Sequence, residues 1–174
     1  LIYSMLSNKV ILCYILILAA IFYYDEEYKA INAFGMLSCM ILSLAGNTNS
    51  IKSIGSILSG TSILVPRVGF KSFVGIVMSE LNTLLGMVFV WMILNTKVTD
   101  PFDCLMSATA GIIVGFCNYY SSTAVGMLTS SLTIMDAKDK TLFSKLIVLE
   151  LLASTMGVFG FVLGIFMRQR IGSI

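Results

Sequence analysis

Apolar residues in this chain form five long runs, separated by short polar or charged segments. The runs cover about residues 10–24, extended by residues 1–6, and then 30–59, 72–94, 105–134 and 142–167. A helix rises about 1.5 Å per residue, and about 20 apolar residues cross the roughly 30 Å hydrocarbon core of a bilayer. The pattern therefore predicts an all-α integral membrane protein with five transmembrane helices.

The first run ends in the aromatic pair Tyr23 and Tyr24, which is typical of a membrane interface. A cleaved signal peptide is the rival interpretation, but the sequence IFYYDEE offers no small-residue cleavage site. We expect an uncleaved first helix, followed by an acidic loop at residues 25–27.

The second run contains the polar sequence GNTNSIKSIGS, which includes Asn47, Thr48, Asn49 and Lys52. A helix with these side chains cannot face lipid on all sides. Small residues also recur in the second and fourth runs, and such residues let helix backbones approach closely in membranes. We expect both runs to be packing helices. The small residues are Gly46, Ser50, Ser53, Gly55, Ser56, Gly60, Gly111, Gly115, Ser121, Ser122, Ala124 and Gly126.

Composition supports a membrane protein and excludes several functions. Of the 174 residues, 57% are hydrophobic and only 11% are charged, which is too apolar for one soluble core. The net charge of +2 forms no basic stripe, so we expect no nucleic-acid partner. The chain has no histidine, which leaves carboxylates as the plausible proton carriers. Its four cysteines lack metal-site spacing, so we expect packing roles and no metal or cofactor.

Two acids lie inside apolar runs: Glu80 in the third and Glu150 in the fifth. A charged side chain at the centre of a membrane helix costs about 2.5 to 3.5 kcal/mol on insertion scales, so such residues usually have a function. The acids are seventy residues apart, and each is followed six or seven residues later by a glycine, Gly86 or Gly157. A packing helix, a short loop and an acid helix therefore occur twice in the chain.

This repeat divides the chain into an N-terminal helix with its acidic loop (residues 1–29) and two helical hairpins (residues 30–97 and 98–174). Positive charges gather in the two hairpin loops, and the positive-inside rule puts those loops in the cytosol. Arg168 and Arg170 oppose that orientation, because five spans send the C-terminus outward. We nevertheless expect five spans, because the apolar runs are clearer than the charges at this end.

Four short pieces of sequence resemble the proteolipid family of vacuolar-type proton-translocating ATPases. They are Pro66-Arg67, Ser79-Glu80 with its downstream glycine, Asp136-Ala137, and FSKLIVLEL, which contains Glu150. Asn118, in GFCN, also falls on a family asparagine. The extra N-terminal helix and the acid in the first hairpin favour the c'' type. The GNTNSIKSIG stretch departs from the family, whose members are more apolar there.

The resemblance implies a proton-translocating subunit of a rotor ring in a vacuolar or other acidified endomembrane. Glu80 would be the principal proton carrier and Glu150 a possible second acid. The implied partners are homologous c-type proteolipids in a ring, a stator a subunit with an essential arginine, a central-stalk subunit of the d type and the lipid bilayer. The chain has no GxxxxGK[ST] loop, so the ATP site must lie on another chain and this protein is not an enzyme by itself.

Two other classes of function stay open from the sequence. A small carboxylate-dependent secondary transporter also uses membrane acids, although it usually needs a broken helix to build a substrate site. A membrane scaffold or assembly protein that transports nothing is the other. Sodium in place of protons also stays open, because hydroxyl and amide side chains lie near both acids.

Lys52 poses a separate question. It lies fourteen residues before Pro66, and Glu80 lies fourteen after it, so a simple hairpin puts both side chains at similar depth. A Lys52–Glu80 pair would favour the ionised acid and hinder proton carriage. We therefore expect Lys52 to face the ring interior or to extend toward the cytosolic surface.

Overall fold

The computed structural model describes residues 29–66, 68–96, 98 and 100–171, and these residues form four long helices. The helices are α1 (Lys29–Leu64), α2 (Val68–Leu94), α3 (Pro101–Lys138) and α4 (Lys140–Gln169). All four are long and apolar enough to cross a membrane. The prediction of an all-α membrane protein is confirmed for these four spans, and the predicted N-terminal helix lies outside the described residues.

Each helix extends beyond the apolar run that predicted it. The largest difference is in α3, which is four residues longer at each end. In α1 the polar sequence GNTNSIKSIGS continues the helix without a break. Local chemistry sets the other ends. Pro101 stands at the start of α3, where its missing N–H breaks no helical bond. Asp139 alone separates α3 from α4, and its side chain accepts a hydrogen bond of 2.9 Å from the backbone N–H of Thr141.

The helices pack around α3, which contacts the three others. Helix α2 also contacts α1 and α4, whereas within the described part of the chain α1 and α4 do not touch. We call the end with residues 64–68 and 138–140 the hairpin-loop end, and the end with residues 95–100 the connection end.

Small residues allow α1 and α3 to approach closely, as the sequence predicted. At Gly46 an added Cβ would lie 2.7 Å from the Cα of Tyr119, which is closer than side-chain carbons normally come to backbone. An added Cβ at Gly126 would lie 2.5 Å from the Cα of Ser50. These two helices therefore touch backbone to backbone, which gives packing in a membrane its close dispersion contacts.

The interior of the bundle mixes apolar and polar side chains. Nearer the connection end lies an apolar cluster of Cys39, Phe89, Ile93, Ala110 and Val114. Many serine, threonine and asparagine side chains are buried as well, together with three acids, Asp103, Asp136 and Glu150. Many large apolar side chains point outward, as expected for a protein surrounded by lipid and by other membrane helices.

Candidate functional site

Glu80 lies near the middle of α2, twelve residues after Val68 and fourteen before Leu94. Two hydrogen bonds fix its depth against α1. The Ser79 hydroxyl donates to the Asn47 side-chain oxygen at 2.7 Å, and the Thr83 hydroxyl donates to the Ser43 carbonyl at 3.4 Å. Glu80 therefore also lies opposite the middle of α1. In a membrane this is the centre of the hydrocarbon core, far from the polar headgroups.

The Glu80 side chain is exposed on the outward face of α2. Its neighbours on that face are apolar and exposed: Val77 at 53%, Leu81 at 47% and Leu84 at 52%. Within the described residues Glu80 makes no hydrogen bond and no ion pair. The carboxyl group thus faces whatever surrounds the bundle, which in a membrane is lipid or another protein.

The opposite face of α2 is joined to the bundle by hydrogen bonds that do not involve Glu80. The Asn82 amide donates to the Ser121 hydroxyl at 2.8 Å, and the Ser122 hydroxyl donates to the Ser79 carbonyl at 3.4 Å. Ser79, Asn82 and Thr83 bond to α1 and α3, and so fix the rotation of α2 that turns Glu80 outward.

Glu150 lies in a different environment. It is 1% exposed, and its Oε1 accepts a hydrogen bond of 2.8 Å from the Thr129 hydroxyl of α3. Its Oε2 has no hydrogen-bond partner within the described residues. Gly75 of α2 makes room for this carboxyl group, because an added Cβ there would lie 2.6 Å from Oε1. Glu150 is thus enclosed by α2, α3 and α4.

The two acids also lie at different depths, which the sequence repeat did not indicate. Glu150 is level with Gly75, five residues before Glu80, so it is about 8 Å nearer the hairpin-loop end. Gly157 is the α4 residue beside Asn82, where an added Cβ would lie 2.6 Å from the Asn82 side-chain oxygen. The repeat therefore aligns the two acids in sequence but not in space.

The expectation that Lys52 and Glu80 share one depth is wrong. Because Asn47 bonds to Ser79, Lys52 lies five residues beyond that level, about 8 Å closer to the hairpin-loop end. The expectation rested on a loop centred on Pro66. The side-chain contacts between α1 and α2 align the two helices differently. Lys52 is exposed and does not pair with Glu80, in agreement with the expectation that it points elsewhere.

The unusual polar stretch of α1 is explained by its packing. Asn47 bonds to α2, the Asn49 amide donates to the Tyr119 hydroxyl at 3.2 Å, and Ser53 shares a 2.9 Å hydrogen bond with Ser130. Ser50 packs against Gly126. Most of the polar side chains that depart from the family pattern therefore join α1 to its neighbours.

Sequence reasoning missed one ion pair near the hairpin-loop end. Lys71 of α2 lies 2.7 Å from Asp136 of α3, and the Asp136 side chain is fully buried. The two residues are 65 positions apart, and nothing in the sequence around either one indicates the contact. The pair joins the first hairpin to the second.

Among the described residues no three histidine, cysteine or acidic side chains come together as they would to bind a metal ion. Asn118, the residue at a family asparagine, is buried and donates a 3.2 Å hydrogen bond to the Ser43 hydroxyl.

Comparison with known proteins finds relatives among the proteolipid subunits of proton ATPases. A family model for the C subunit of ATP synthase matches residues 108–167, which hold most of α3 and α4. The c''2 subunit of the V-type proton ATPase of Arabidopsis thaliana is 33% identical over 150 residues, covering 80% of this chain and 84% of the relative. The c'' subunit of the Saccharomyces cerevisiae enzyme is 27% identical over 146 residues, covering 78% of this chain and 68% of the relative. The 16 kDa V-type proton ATPase proteolipid of Rattus norvegicus, of the c type, is 23% identical over 150 residues, covering 84% and 96%.

Four apolar helices and an acid exposed at mid-depth define a multi-pass integral membrane protein of the proteolipid type. The chain belongs to the proteolipid family of the V-type proton ATPases. Within that family, the two relatives named c'' are more identical to this chain than the 16 kDa proteolipid of the rat, so the resemblance to c'' is confirmed.

Proposed function

We propose that this chain carries protons through the membrane sector of a V-type ATPase on the carboxyl group of Glu80. Family membership supports a place in the proteolipid ring beside homologous c-type proteolipids. The observation that carries the assignment of the residue is the exposure of Glu80 on the outward face of α2, near the middle of the helix. Neither a secondary transporter nor a scaffold protein is favoured by these relatives.

The physical cycle follows from this position. A carboxyl group surrounded by lipid favours its neutral form, because an isolated charge in hydrocarbon is costly. Beside the arginine of a stator a subunit and a water-filled half-channel, the ionised form is stabilised, and the proton leaves. Rotation of the ring then carries each reloaded, neutral carboxyl group through the lipid to the other half-channel.

The energy for this cycle comes from outside the chain. Moving one proton against 100 mV and one pH unit requires about 2.3 and about 1.4 kcal/mol, respectively. Since the sequence has no phosphate-binding loop, ATP hydrolysis belongs to other subunits, and a central-stalk subunit of the d type would transmit the torque to the ring. The pump would acidify a vacuole or a related endomembrane compartment.

Glu150 has a structural role in this proposal. Its carboxyl group is enclosed by Gly75, Thr129 and the body of α4, so a stator arginine cannot reach it without parting the helices. A buried acid with no cation partner is kept neutral by the cost of burying a charge. We infer that Glu150 stays protonated throughout the cycle and that the two hairpins, residues 30–97 and 98–174, form one unit with a single working acid.

Exchange of each acid for its neutral isostere tests the proposal in the assembled complex. Glu80→Gln is expected to abolish ATP-driven acidification of vesicles while the ring still assembles, because glutamine cannot release a proton. Glu150→Gln is the matched control and is expected to retain acidification. Normal acidification by the Glu80→Gln complex would refute the proposal.

A further inference from the structure

Helix α1 carries a polar face that no other described helix covers. Thr48, Lys52, Ser56 and Ser59 are all exposed, and their spacing puts them on one side of the helix. The neighbouring Asn47, Ser50 and Ser53 point the other way, into the bundle. Polar packing within this chain therefore does not account for the outward face.

The depth of Lys52 suits a cation that reaches the membrane surface. With the middle of the helices at the bilayer centre, Lys52 lies about 8 Å toward the hairpin-loop end. The hydrocarbon extends about 15 Å from the centre, so the headgroups begin about 7 Å farther along. Lysine side chains cover such a distance by lying along the helix with the ammonium group in the polar layer.

No anion of the described structure neutralises this ammonium group. Lys52 makes neither an ion pair nor a hydrogen bond there. Glu150 has a similar depth but is buried on the far side of α3, and the described parts of α1 and α4 do not touch. Asp136 is nearer the hairpin-loop end and is paired with Lys71.

Exposed hydroxyl groups continue from Lys52 toward the hairpin-loop end on the same side of α1. Ser56 and Ser59 lie about 14 Å and about 18 Å beyond the level of Asn47, which is the depth of the headgroups. At Gly55, one turn beyond Lys52, no described atom lies within 4 Å of where a Cβ would be. The face thus combines a cation, exposed hydroxyl groups and open space.

We propose that this face binds the phosphate group of an anionic phospholipid, with Lys52 as the charged contact. The bilayer itself supplies phosphate oxygens at the depth that the Lys52 ammonium group reaches. A protein partner would instead need its own acid buried in the membrane at that level, which is costly. The proposal requires only that the helices span a membrane, and so does not depend on the role of Glu80.

The test uses the purified membrane-sector complex in phosphatidylcholine nanodiscs doped with phosphatidylserine, with retained lipid counted by native mass spectrometry. Wild type and Lys52→Arg are expected to retain phosphatidylserine, and Lys52→Met is expected to lose it. Lys138→Met, at an exposed lysine near the end of α3, is the matched control and should retain it.

The proposal would be overturned if Lys52→Met retained as much phosphatidylserine as wild type. Two further outcomes would also overturn it. One is displacement of the lipid by inorganic phosphate at equal concentration, which would identify a site for the free anion. The other is a density map of the complex in which an acidic side chain of a neighbouring protein contacts Lys52. Lipid density at Lys52 that disappears in Lys52→Met would support it.

Discussion

The Ser79 hydroxyl donates a 2.7 Å hydrogen bond to the side-chain oxygen of Asn47, and Ser79 directly precedes Glu80. This contact joins α1 to α2 at the depth of the exposed acid. Because Ser79 is fully buried, its bond to Asn47 holds the face of α2 opposite Glu80 against the bundle. The polar stretch that looks out of place in α1 therefore helps to orient Glu80.

Asn47→Leu should weaken proton transport although it leaves Glu80 in place. The substitution removes the acceptor for a buried hydroxyl, which costs about 1–3 kcal/mol and loosens the rotation of α2. We expect slower ATP-driven acidification per assembled complex. Thr48→Val is the matched control, since Thr48 is exposed and its hydroxyl donates to the Leu44 carbonyl of its own helix. Equal acidification rates in the two variants would contradict the positioning role of Asn47.

Gly75→Ala should destabilise the bundle. The new methyl group would meet the Thr129 side chain and lie 2.6 Å from Glu150 Oε1, and overpacking of this kind typically costs about 1–3 kcal/mol. Gly69→Ala, in the first turn of the same helix, meets no described atom within 4 Å and should not lower the stability. The thermal stability of the purified complex measures both effects. A Gly75→Ala complex as stable as Gly69→Ala would mean that Glu150 does not lie against α2.

Thr129→Val tests whether Glu150 is a buried neutral acid. The variant removes the hydroxyl that donates to the carboxyl group, at a cost of about 1–3 kcal/mol. Adding Glu150→Met should restore most of the stability, because replacing both partners by apolar groups is nearly neutral. Failure of the double variant to recover thermal stability would indicate a further role for the acid.

Lys71→Met should impair assembly more than a surface substitution does. It removes a 2.7 Å charged contact to the fully buried Asp136, and hydrogen bonds to charged groups contribute about 1.5–3 kcal/mol. Asp136→Asn in the same chain should recover part of the loss, because a neutral amide is cheaper to bury than a carboxylate that has lost a charged contact. The amount of assembled complex in membranes measures both changes, with Lys140→Met at an exposed site as the control.

The four described helices could be predicted from the apolar runs, because a run of more than about 20 apolar residues is long enough to cross a bilayer as a helix. Which way each acid points could not. The structure buries a stripe of small and polar residues on α2, which includes Ser72, Gly75, Ser79, Asn82 and Gly86, and Glu80 lies off that stripe. Their place in apolar runs alone made Glu80 and Glu150 look alike in sequence. Their difference depends on Asn47, Thr129 and Gly75, which come from other helices or from other turns of α2.

The depth of each polar residue within the bundle could not be predicted from the sequence either. Counting residues from Pro66 put Lys52 level with Glu80, whereas the register of α1 and α2 is set by Asn47 with Ser79 and by Ser43 with Thr83. Similarly, the seventy-residue spacing of the acids suggested equivalent positions, and the contact of Gly157 with Asn82 shows a different register for α4. Long-range side-chain contacts of this kind leave no periodic signal in one sequence.

The most direct test of the central claim is chemical labelling of the two acids in the active complex. A hydrophobic carbodiimide reacts with protonated carboxyl groups that it reaches from the lipid, and mass spectrometry identifies the modified residue. Labelling is predicted at Glu80 and not at Glu150, with acidification lost in proportion to the fraction of Glu80 modified. Loss of acidification with Glu80 unmodified, or with the label on Glu150, would contradict the account.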